Sequence, residues 1–544
     1  MSEQQIKAGV FITGSDGNRI TEEQSREIAK RLEFGELISK GDLHYLPETT
    51  LADVTPLAKV LKKKGYKKAL IVGFSPAKSA KAREEAAEAA GIASGNLLPL
   101  EVRSLGKSEA ALEKIIERCK QALRVLEEIP VFEIDSADIN QNVLVIGGGI
   151  GGVQTAAALN SYGYKTTLVE KKDRLGGELT DTLTEFSSDA DRSSMAEFSK
   201  DLESIEVFTE STLDHLEGRP GAFKAEILTP SGKRTIDCGA VVLAPGIVSN
   251  DQWFEEAAAD GTREKSSLIL PVEQAGEKAA ELGKKRVARN IGIVLDLFLD
   301  ETKASTEMAL SMARKMQEQE LFQVHLFLRD VRVASLDLEK FYDLVRDEGV
   351  DIVKYDTISF QENGDKVAVS CTDTVLQTPL VAQCDFLAVS RYGLEAKVDP
   401  VLAETAGVSL DETGLMQENN IHLFPGETNR EGVYVVGSAR GTFYIPDIIQ
   451  EAKAVAETVD SFLSPKTMRV EDSSAVVDPD KCVLCLTCVR SCPYKAMYVD
   501  HTKGAAASMP EACKRCGICA GECPAKAIHL PAYSDSIMTA RMGR

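Results

Sequence analysis

The sequence lacks the features of membrane-spanning, secreted and nucleic-acid-binding proteins. No stretch of about 18 apolar residues runs without a charge, so we expect no direct membrane span. The net charge is −21 and no long run of Lys and Arg occurs, which argues against nucleic acid as a partner. The first residues lack the basic head and apolar stretch of a signal peptide, which favours a cytoplasmic protein.

Cysteine is also scarce over most of the chain. Of 12 cysteines, eight are crowded near the C-terminus and four are scattered. Outside the C-terminal segment there is no C-x-x-C pair, so no thiol–disulfide redox centre is predicted there. A cytoplasmic chain is not expected to hold the scattered four as disulfides, and we predict buried free thiols at Cys119, Cys238, Cys371 and Cys384.

The crowded cysteines form two runs with the same spacing, C-x2-C-x2-C-x3-C-P. This is the two-cluster ferredoxin pattern, in which the fourth cysteine of each run ligates the other cluster. The alternatives are disulfides, which the compartment disfavours, and zinc, which usually takes its ligands as two pairs. The sequence therefore predicts two 4Fe–4S clusters, one held by Cys482, Cys485, Cys488 and Cys523, and one held by Cys513, Cys516, Cys519 and Cys492.

A glycine-rich turn follows the apolar run "NVLVI". Gly147, Gly149 and Gly152 occupy the G-x-G-x-x-G positions between a predicted strand and a predicted helix. A side chain at the first two would block the turn or the approach of a pyrophosphate to the helix N-terminus. Glu170 closes the next strand, where an acid accepts from an adenosine ribose. These features predict a dinucleotide site.

Later glycine segments decide between FAD and NAD. Gly176 and Gly177, the segment "VVLAPG" and the late segment "GVYVVGSARG" together resemble the two-dinucleotide-fold, thioredoxin-reductase-like flavoproteins. The resemblance implies that the late segment folds back onto the first domain and that the cofactor is FAD. It also implies these FAD-binding residues: Gly147, Gly148, Gly149, Ile150, Gly151, Gly152, Glu170, Lys171, Gly176, Gly177, Ala244, Pro245, Gly246, Gly437, Ser438 and Ile445.

Two details of the late segment are specific to this chain. Those flavoproteins usually have an acid after the late glycine, whereas here Ser438 follows Gly437. Pro446 and Asp447 then suit the start of a helix. Our hypothesis is that the positive end of this helix faces the flavin and favours its anionic reduced form.

The region between the two flavin segments has no glycine-rich turn. Its first strand is expected in "NIGIVLDLFLDETKAS", and nothing there is suited to a second pyrophosphate. Direct oxidation of NAD(P)H is therefore not expected.

The whole chain resembles the flavoprotein family of heterodisulfide reductase, that enzyme's FAD-binding component, including its quinone-interacting relatives. The likeness is strongest in "VLVIGGGIGGVQTAAALNSYGYKTTLVEK", in "GVYVVGSARGTFYIPDIIQEA" and in the cysteine-rich tail. It implies a flavoprotein that passes electrons between FAD and iron–sulfur chains, with other redox subunits of a complex and a ferredoxin-type or iron–sulfur protein as partners. It also places Lys315 near the flavin, with a solvated helix face as the alternative for that residue. The cysteines that family members often carry beside the flavin are absent from "VLDLFLDETKASTEMALSMARKM".

The expected fold class is α/β: a two-dinucleotide-fold flavoprotein core with an N-terminal α/β domain and a C-terminal α+β ferredoxin domain. The expected domains are an N-terminal domain (1–135), a divided FAD domain (136–289 and 385–465), a nucleotide-type domain without a nucleotide motif (290–384) and a ferredoxin domain (466–544). We predict an oxidoreductase that serves as an electron-transfer subunit of a larger complex. Two alternatives remain, a stand-alone NAD(P)H:ferredoxin oxidoreductase and an FAD-fold scaffold that is not redox-active.

Overall fold

The computed structural model describes residues 8–14, 20–102, 108–177, 204–246, 268–284, 287–297, 303–319, 321–334, 337–390, 398–420 and 422–542. The chain divides into two compact units, Met1–Ala137 with Thr467–Arg544, and Asp138–Lys466. Within the described ranges, no helix is long and apolar enough to cross a membrane.

The first unit begins with a parallel four-stranded sheet that carries helices on both faces. Its elements are β1 (Ala8–Thr13), α1 (Glu22–Phe34), β2 (Leu43–Leu46), α2 (Thr55–Lys64), β3 (Lys68–Val72), α3 (Ala80–Ala90), β4 (Leu97–Leu100), α4 (Glu109–Glu128) and β5 (Ile134–Asp138). The strand order is β2-β1-β3-β4, and each face is covered by its own apolar cluster. Helix α3 is rich in alanine and ends at Gly91, which adopts a left-handed φ of 72°.

The second unit begins with the glycine turn between a strand and a helix. The first elements are β6 (Val143–Ile146), α5 (Ile150–Ser161), β7 (Thr166–Val169), β8 (Glu206–Phe208), β9 (Thr212–Arg219), β10 (Ala222–Thr229), β11 (Gly232–Cys238) and β12 (Ala240–Leu243). Strands β12, β6, β7 and β8 pair in parallel, and β9 to β11 form an antiparallel sheet. The predicted strand–turn–helix–strand order is confirmed.

A second, separate sheet follows in the same unit. Its elements are β13 (Ile269–Pro271), α6 (Ala275–Gly283), β14 (Arg289–Val294), α7 (Lys303–Gln317), β15 (Phe322–Leu328), α8 (Leu338–Asp347), β16 (Asp351–Asn363), β17 (Lys366–Asp373), β18 (Thr378–Cys384) and β19 (Phe386–Val389). The order is β13-β19-β14-β15-β16-β17-β18. Strands β13 and β19 belong to this sheet but lie outside the expected range 290–384. Strand β19 follows the antiparallel strands β16–β18 in sequence and pairs with both β13 and β14.

The chain then returns to the first sheet of this unit. The returning elements are α9 (Pro400–Ala406), β20 (Glu418–Asn420), β21 (Phe424–Thr428), β22 (Val433–Val435) and α10 (Ile445–Leu463). Strand β22 pairs in parallel with β12, which gives the order β20-β21-β22-β12-β6-β7-β8. The late glycine segment therefore folds back onto the first domain, as the sequence predicts.

The C-terminal segment belongs to the first unit. Its elements are β23 (Thr467–Glu471), β24 (Val476–Val477), α11 (Thr487–Ser491), β25 (Met497–Asp500), β26 (Ala505–Ser508), α12 (Ile518–Gly521), β27 (Ile528–His529) and α13 (Asp535–Arg541). Strands β24 and β27, and β25 and β26, form two antiparallel pairs. Strand β23 pairs with β5, so two polar segments that are far apart in sequence form a small sheet with each other.

Candidate functional site

The eight C-terminal cysteines line two separate small cavities. Each cavity combines three cysteines of one run with the last cysteine of the other run. The two groups are Cys482, Cys485, Cys488 and Cys523, and Cys513, Cys516, Cys519 and Cys492. The structure therefore brings together the same two sets of four that the spacing predicts as ligands.

Backbone N–H groups support sulfur atoms at both cavities. The N–H of Ala496 donates to Sγ of Cys492, and the N–H of Ala527 donates to Sγ of Cys523, both at 3.3 Å. Such hydrogen bonds stabilise thiolates bound to iron and help to set cluster potentials. Among the described residues, no three His, Cys, Asp or Glu side chains are arranged for a single metal ion. A cubane spaces its four thiolates more widely than one ion does, so four cysteines around one cavity suit a cluster better than a single ion.

The protonation of the cysteines differs between exposed and buried positions. Burial raises the pKa of the Cys519 thiol to about 11 and also raises the pKa of Cys488. The hydrogen bond with the Thr487 hydroxyl lowers the pKa of the exposed Cys485. Only thiolates bind iron, so assembly of either cluster releases protons from its cysteines.

The two cysteine loops are held by different arginines. In the first loop, Arg490 donates to the carbonyl oxygen of Cys485 at 3.1 Å. In the second, Arg515 donates to Oγ of Ser473 at 2.7 Å and forms an ion pair with Glu471 at 3.2 Å. Glu471 also accepts from the N–H of Ser94 at 2.6 Å, so this second loop is tied to the N-terminal sheet of its own unit.

The glycine turn of the second unit is tightly packed against its neighbours. A Cβ on Gly147, which has a φ of 108°, would overlap the carbonyl oxygen of Ala244. A Cβ on Gly152 would overlap the carbonyl oxygen of Gly147. Gly149, in contrast, has no atom within 4 Å of its Cβ position, which leaves room for a ligand at the start of α5. The turn therefore fits the pyrophosphate of a dinucleotide.

Segments far apart in sequence meet at this turn. The N–H of Gly176 donates to the carbonyl oxygen of Gly148 at 2.8 Å, which joins the second predicted glycine segment to the first. The carboxylate of Glu170 is buried and accepts from the N–H of Gly148 at 2.5 Å and from that of Lys172 at 2.7 Å. Of the other predicted binding residues, Lys171 is exposed beside Glu170, and Pro245 and Gly246 continue the chain from Ala244.

Helices α5 and α10 pack against each other with their N-termini adjacent. A Cβ on Gly151 in the first turn of α5 would lie 3.2 Å from Cγ2 of Ile448 in the first turn of α10. No side chain caps the N-terminus of either helix, at Gly149 or at Tyr444. Two helix N-termini with positive partial charge thus lie side by side next to Ile150 and Ile445, which favours an anionic ligand.

The late glycine turn obtains its acid from a position that the sequence did not predict. Ser438 lies in a short 3-10 helix, Gly437–Arg440, and provides no carboxylate. Glu451 of α10 accepts instead from the N–H of Gly437 at 2.6 Å and from the hydroxyl of Thr442 at 3.2 Å. Arg440 forms ion pairs with Glu451 and, at 2.8 Å, with Glu418. No local pattern marks Glu451, because it comes from the second turn of the following helix.

The corresponding edge of the second sheet is filled by a carboxylate. Asp296, two residues after β14, has a left-handed φ of 55° and a side chain that is 1% exposed. It accepts from the N–H of Arg329 at 3.0 Å and from the guanidinium of Arg332 at 2.9 Å. The edge that follows β14 is therefore occupied by a carboxylate paired with a guanidinium, where the first sheet has a glycine turn.

Helix α7 contacts the N-terminal end of α10 through a lysine that the sequence analysis did not single out. Lys303, its first residue, forms an ion pair with Asp447 in the first turn of α10. Lys315 is half-buried in the last turn of α7, about 18 Å further along the helix axis at 1.5 Å per residue. The predicted place of Lys315 beside the flavin stays a prediction. The sequence analysis did not single out Lys303, because the boundaries of α7 were not predicted.

The four scattered cysteines are all buried and free, which confirms the prediction. Burial raises the pKa of Cys119, Cys238 and Cys384 to about 12, so these thiols stay protonated and unreactive. They are packing residues of the two units.

Two protein-family models match the chain. Residues 40–268 match the family described as "Pyridine nucleotide-disulphide oxidoreductase", and residues 474–532 match the "4Fe-4S dicluster domain". The first match ends before β14, and the second includes all eight C-terminal cysteines.

Curated relatives align with most of the chain. A protein of Archaeoglobus profundus, named for its likeness to the HdrA component of heterodisulfide reductase, is 23% identical over 71% of this chain and 76% of its own length. The corresponding iron–sulfur component of the CoB–CoM heterodisulfide reductase of Methanocaldococcus jannaschii is 23% identical over 72% and 74%. Among solved structures, the thioredoxin reductase of T. acidophilum covers 59% of this chain and 97% of its own, with 14% identity and a TM-score of 0.41.

The fold, the glycine turn and the two cysteine cavities define an oxidoreductase that binds FAD and two 4Fe–4S clusters. Within that class, the chain is a relative of the HdrA components of heterodisulfide reductases.

Proposed function

We propose that the chain is an electron-transfer subunit of a heterodisulfide-reductase-like complex in the cytoplasm. FAD exchanges two electrons when bound, and each cubane exchanges one at a time. The chain's own residues hold these groups and control their surroundings. Helices α5 and α10 present two uncapped N-termini to the dinucleotide, and the cysteine loops hold the clusters. The source and the final acceptor of the electrons belong to partner subunits with redox groups of their own.

One observation carries this proposal: each cysteine cavity draws its fourth cysteine from the other run. This crossing keeps two cubanes close to each other in one small domain, as an electron relay requires. A zinc or disulfide function has no need of two such crossed sets. The buried Asp296 supports a relay rather than a stand-alone NAD(P)H oxidoreductase, because β14 is followed by a carboxylate paired with Arg332 and not by a glycine turn.

The crossing can be tested by counting iron in anaerobically purified variants. Wild type is expected to hold about eight iron atoms and one FAD per chain. Cys485→Ala and Cys523→Ala are each expected to lose about four iron atoms, and the double variant no more than either alone, since both residues line the first cavity. The matched double variant Cys485→Ala/Cys516→Ala removes one cysteine from each cavity and is expected to lose all iron.

The same preparations test the relay. In an anaerobic redox titration that follows flavin absorbance and cluster EPR, a strong donor should reduce both kinds of centre, and NADH should reduce neither. Additive iron loss in the Cys485/Cys523 variant would contradict the crossed ligands. Rapid bleaching of the flavin by NADH would contradict the relay and favour the stand-alone enzyme. Iron without stoichiometric FAD would favour the scaffold alternative.

A further inference from the structure

Lys303 makes a contact between helix α7, which packs on the second sheet, and helix α10. Its ammonium forms an ion pair with the carboxylate of Asp447 and lies 4.7 Å from the ring centroid of Tyr444, the residue that precedes α10. The lysine side chain is 30% exposed and the aspartate side chain 46% exposed. Both partners of the contact on α10 belong to its N-terminal end.

This end of α10 adjoins the dinucleotide turn. Ile448, which directly follows Asp447, packs next to Gly151 in the first turn of α5. The positive partial charge of the α10 N-terminus is therefore directed at the region where the proposed flavin binds. An unpaired carboxylate in the first turn would reduce that positive field, and Lys303 offsets it.

The stability of α10 does not explain this lysine. An acid in the first turn stabilises a helix, whereas a cation there opposes the helix dipole. Lys303 thus adds positive charge at a position where helix stability favours negative charge. The arrangement instead suits a ligand that becomes more negative during the reaction.

The net charge around the late glycine turn depends strongly on Lys303. The ion pairs at this turn contain three carboxylates and two cations: Glu418, Glu451, Asp447, Arg440 and Lys303. These five groups sum to −1, and without Lys303 they sum to −2. Loss of this one cation therefore doubles the local negative charge.

We propose that Lys303 is a positioning residue of the flavin site, which neutralises Asp447 and keeps the N-terminal end of α10 positive for reduced flavin. This inference rests on the proposed function, because it requires FAD at the paired N-termini of α5 and α10. It assigns the second sheet a role although that sheet has no glycine-rich nucleotide turn: α7 supplies a charge to the flavin site.

The test is the two-electron midpoint potential of the flavin in purified holoprotein. In Lys303→Gln, the ratio of reduced to oxidised flavin at a fixed applied potential should fall about tenfold, about 30 mV for a two-electron couple. Lys303→Arg keeps the charge and should retain the wild-type ratio. The double variant Lys303→Gln/Asp447→Asn removes both charges and should recover most of it. Arg314→Gln is the matched control, because it breaks an ion pair from the same helix to Glu348 instead.

Each outcome decides between specific claims. A wild-type ratio in Lys303→Gln with full FAD content would overturn the inference and leave the proposed function intact. A double variant as low as the single one would also overturn it, because Lys303 would then act without Asp447. A shift of the same size in Arg314→Gln would overturn it too, by identifying a general effect of destabilising α7. Wild-type protein that lacks FAD would refute the proposed function itself.

Discussion

The second unit contains two sheets in which a parallel strand precedes a helix, and the residues that follow these two strands differ. After β6, Gly147 adopts a φ of 108° and the chain enters α5 with room at Gly149. After β14, Asp296 adopts a φ of 55°, also in the left-handed region. The backbones thus share a feature that usually requires glycine, but the side chain differs.

The two sheets have similar strand–helix arrangements, but the side chains that follow β6 and β14 differ. At the first turn, the absence of side chains lets backbone carbonyls pack closely and leaves N–H groups for a phosphate. At the second, the carboxylate of Asp296 accepts from the N–H of Arg329 and from the guanidinium of Arg332, so these two donors are already paired. The apolar cluster under β14 and α7 is intact. Fold therefore does not imply function, and the site residues decide it.

The largest effect, a loss of bound FAD, is expected when Gly147→Ala adds a methyl group at the first turn. Gly147→Ala combines a left-handed φ with overlap of the Ala244 carbonyl oxygen, so the turn must distort and most of the bound FAD should be lost. Gly163→Ala is the control: its φ is 91°, but its Cβ would meet no atom within 4 Å. The control should cost about 1–2 kcal/mol of stability and keep its FAD. FAD per chain, measured by absorbance after purification, checks both; full FAD in Gly147→Ala would contradict the role of the turn.

Features that depend on nearby residues could be predicted from the sequence. The order of strand, glycine turn and helix follows from apolar periodicity and from the conformations that only glycine adopts easily. The repeated cysteine spacing identified both sets of four, because a cubane needs three ligands on one tight loop. The end of α3 at Gly91 has an equally local cause, because glycine adopts the left-handed φ of 72° without strain.

Features that depend on distant contacts could not be predicted. Glu451 contacts Gly437 from the second turn of α10, and Lys303 contacts Asp447 from α7, whose boundaries the sequence does not mark. Strand β19 joins its sheet after a long excursion, so the expected boundary at 384 separated it from β14. The pairing of β5 with β23 joins segments whose polar composition is typical of linkers. In each case the determining partner is remote in sequence.

A large loss of stability is expected at the second sheet. Asp296→Ala leaves the N–H of Arg329 and part of the Arg332 guanidinium without an acceptor, and the free energy of unfolding should fall by about 3 kcal/mol. Asp330→Ala is the control, because its side chain is 65% exposed and 3.9 Å from Arg332; a change below about 0.5 kcal/mol is expected. Urea denaturation measures both. NADH should not reduce the flavin in either variant, and reduction in Asp296→Ala would mean that one carboxylate alone prevents nucleotide binding.

The smallest effect, a weaker affinity for FAD, is expected at Glu170, whose carboxylate accepts from the N–H of Gly148 in the first turn. Glu170→Gln keeps one acceptor oxygen, but its amide nitrogen cannot accept from a second N–H, so either Gly148 or Lys172 loses its partner. One such loss costs about 1.4 kcal/mol, and FAD should bind about tenfold more weakly. Glu206→Gln on the neighbouring strand β8 has only a 3.4 Å contact with Thr167 and should leave the affinity unchanged. Titration of the apoprotein with FAD by flavin fluorescence gives both constants. Equal affinities for the two variants would mean that the glycines hold the turn without help from this acid.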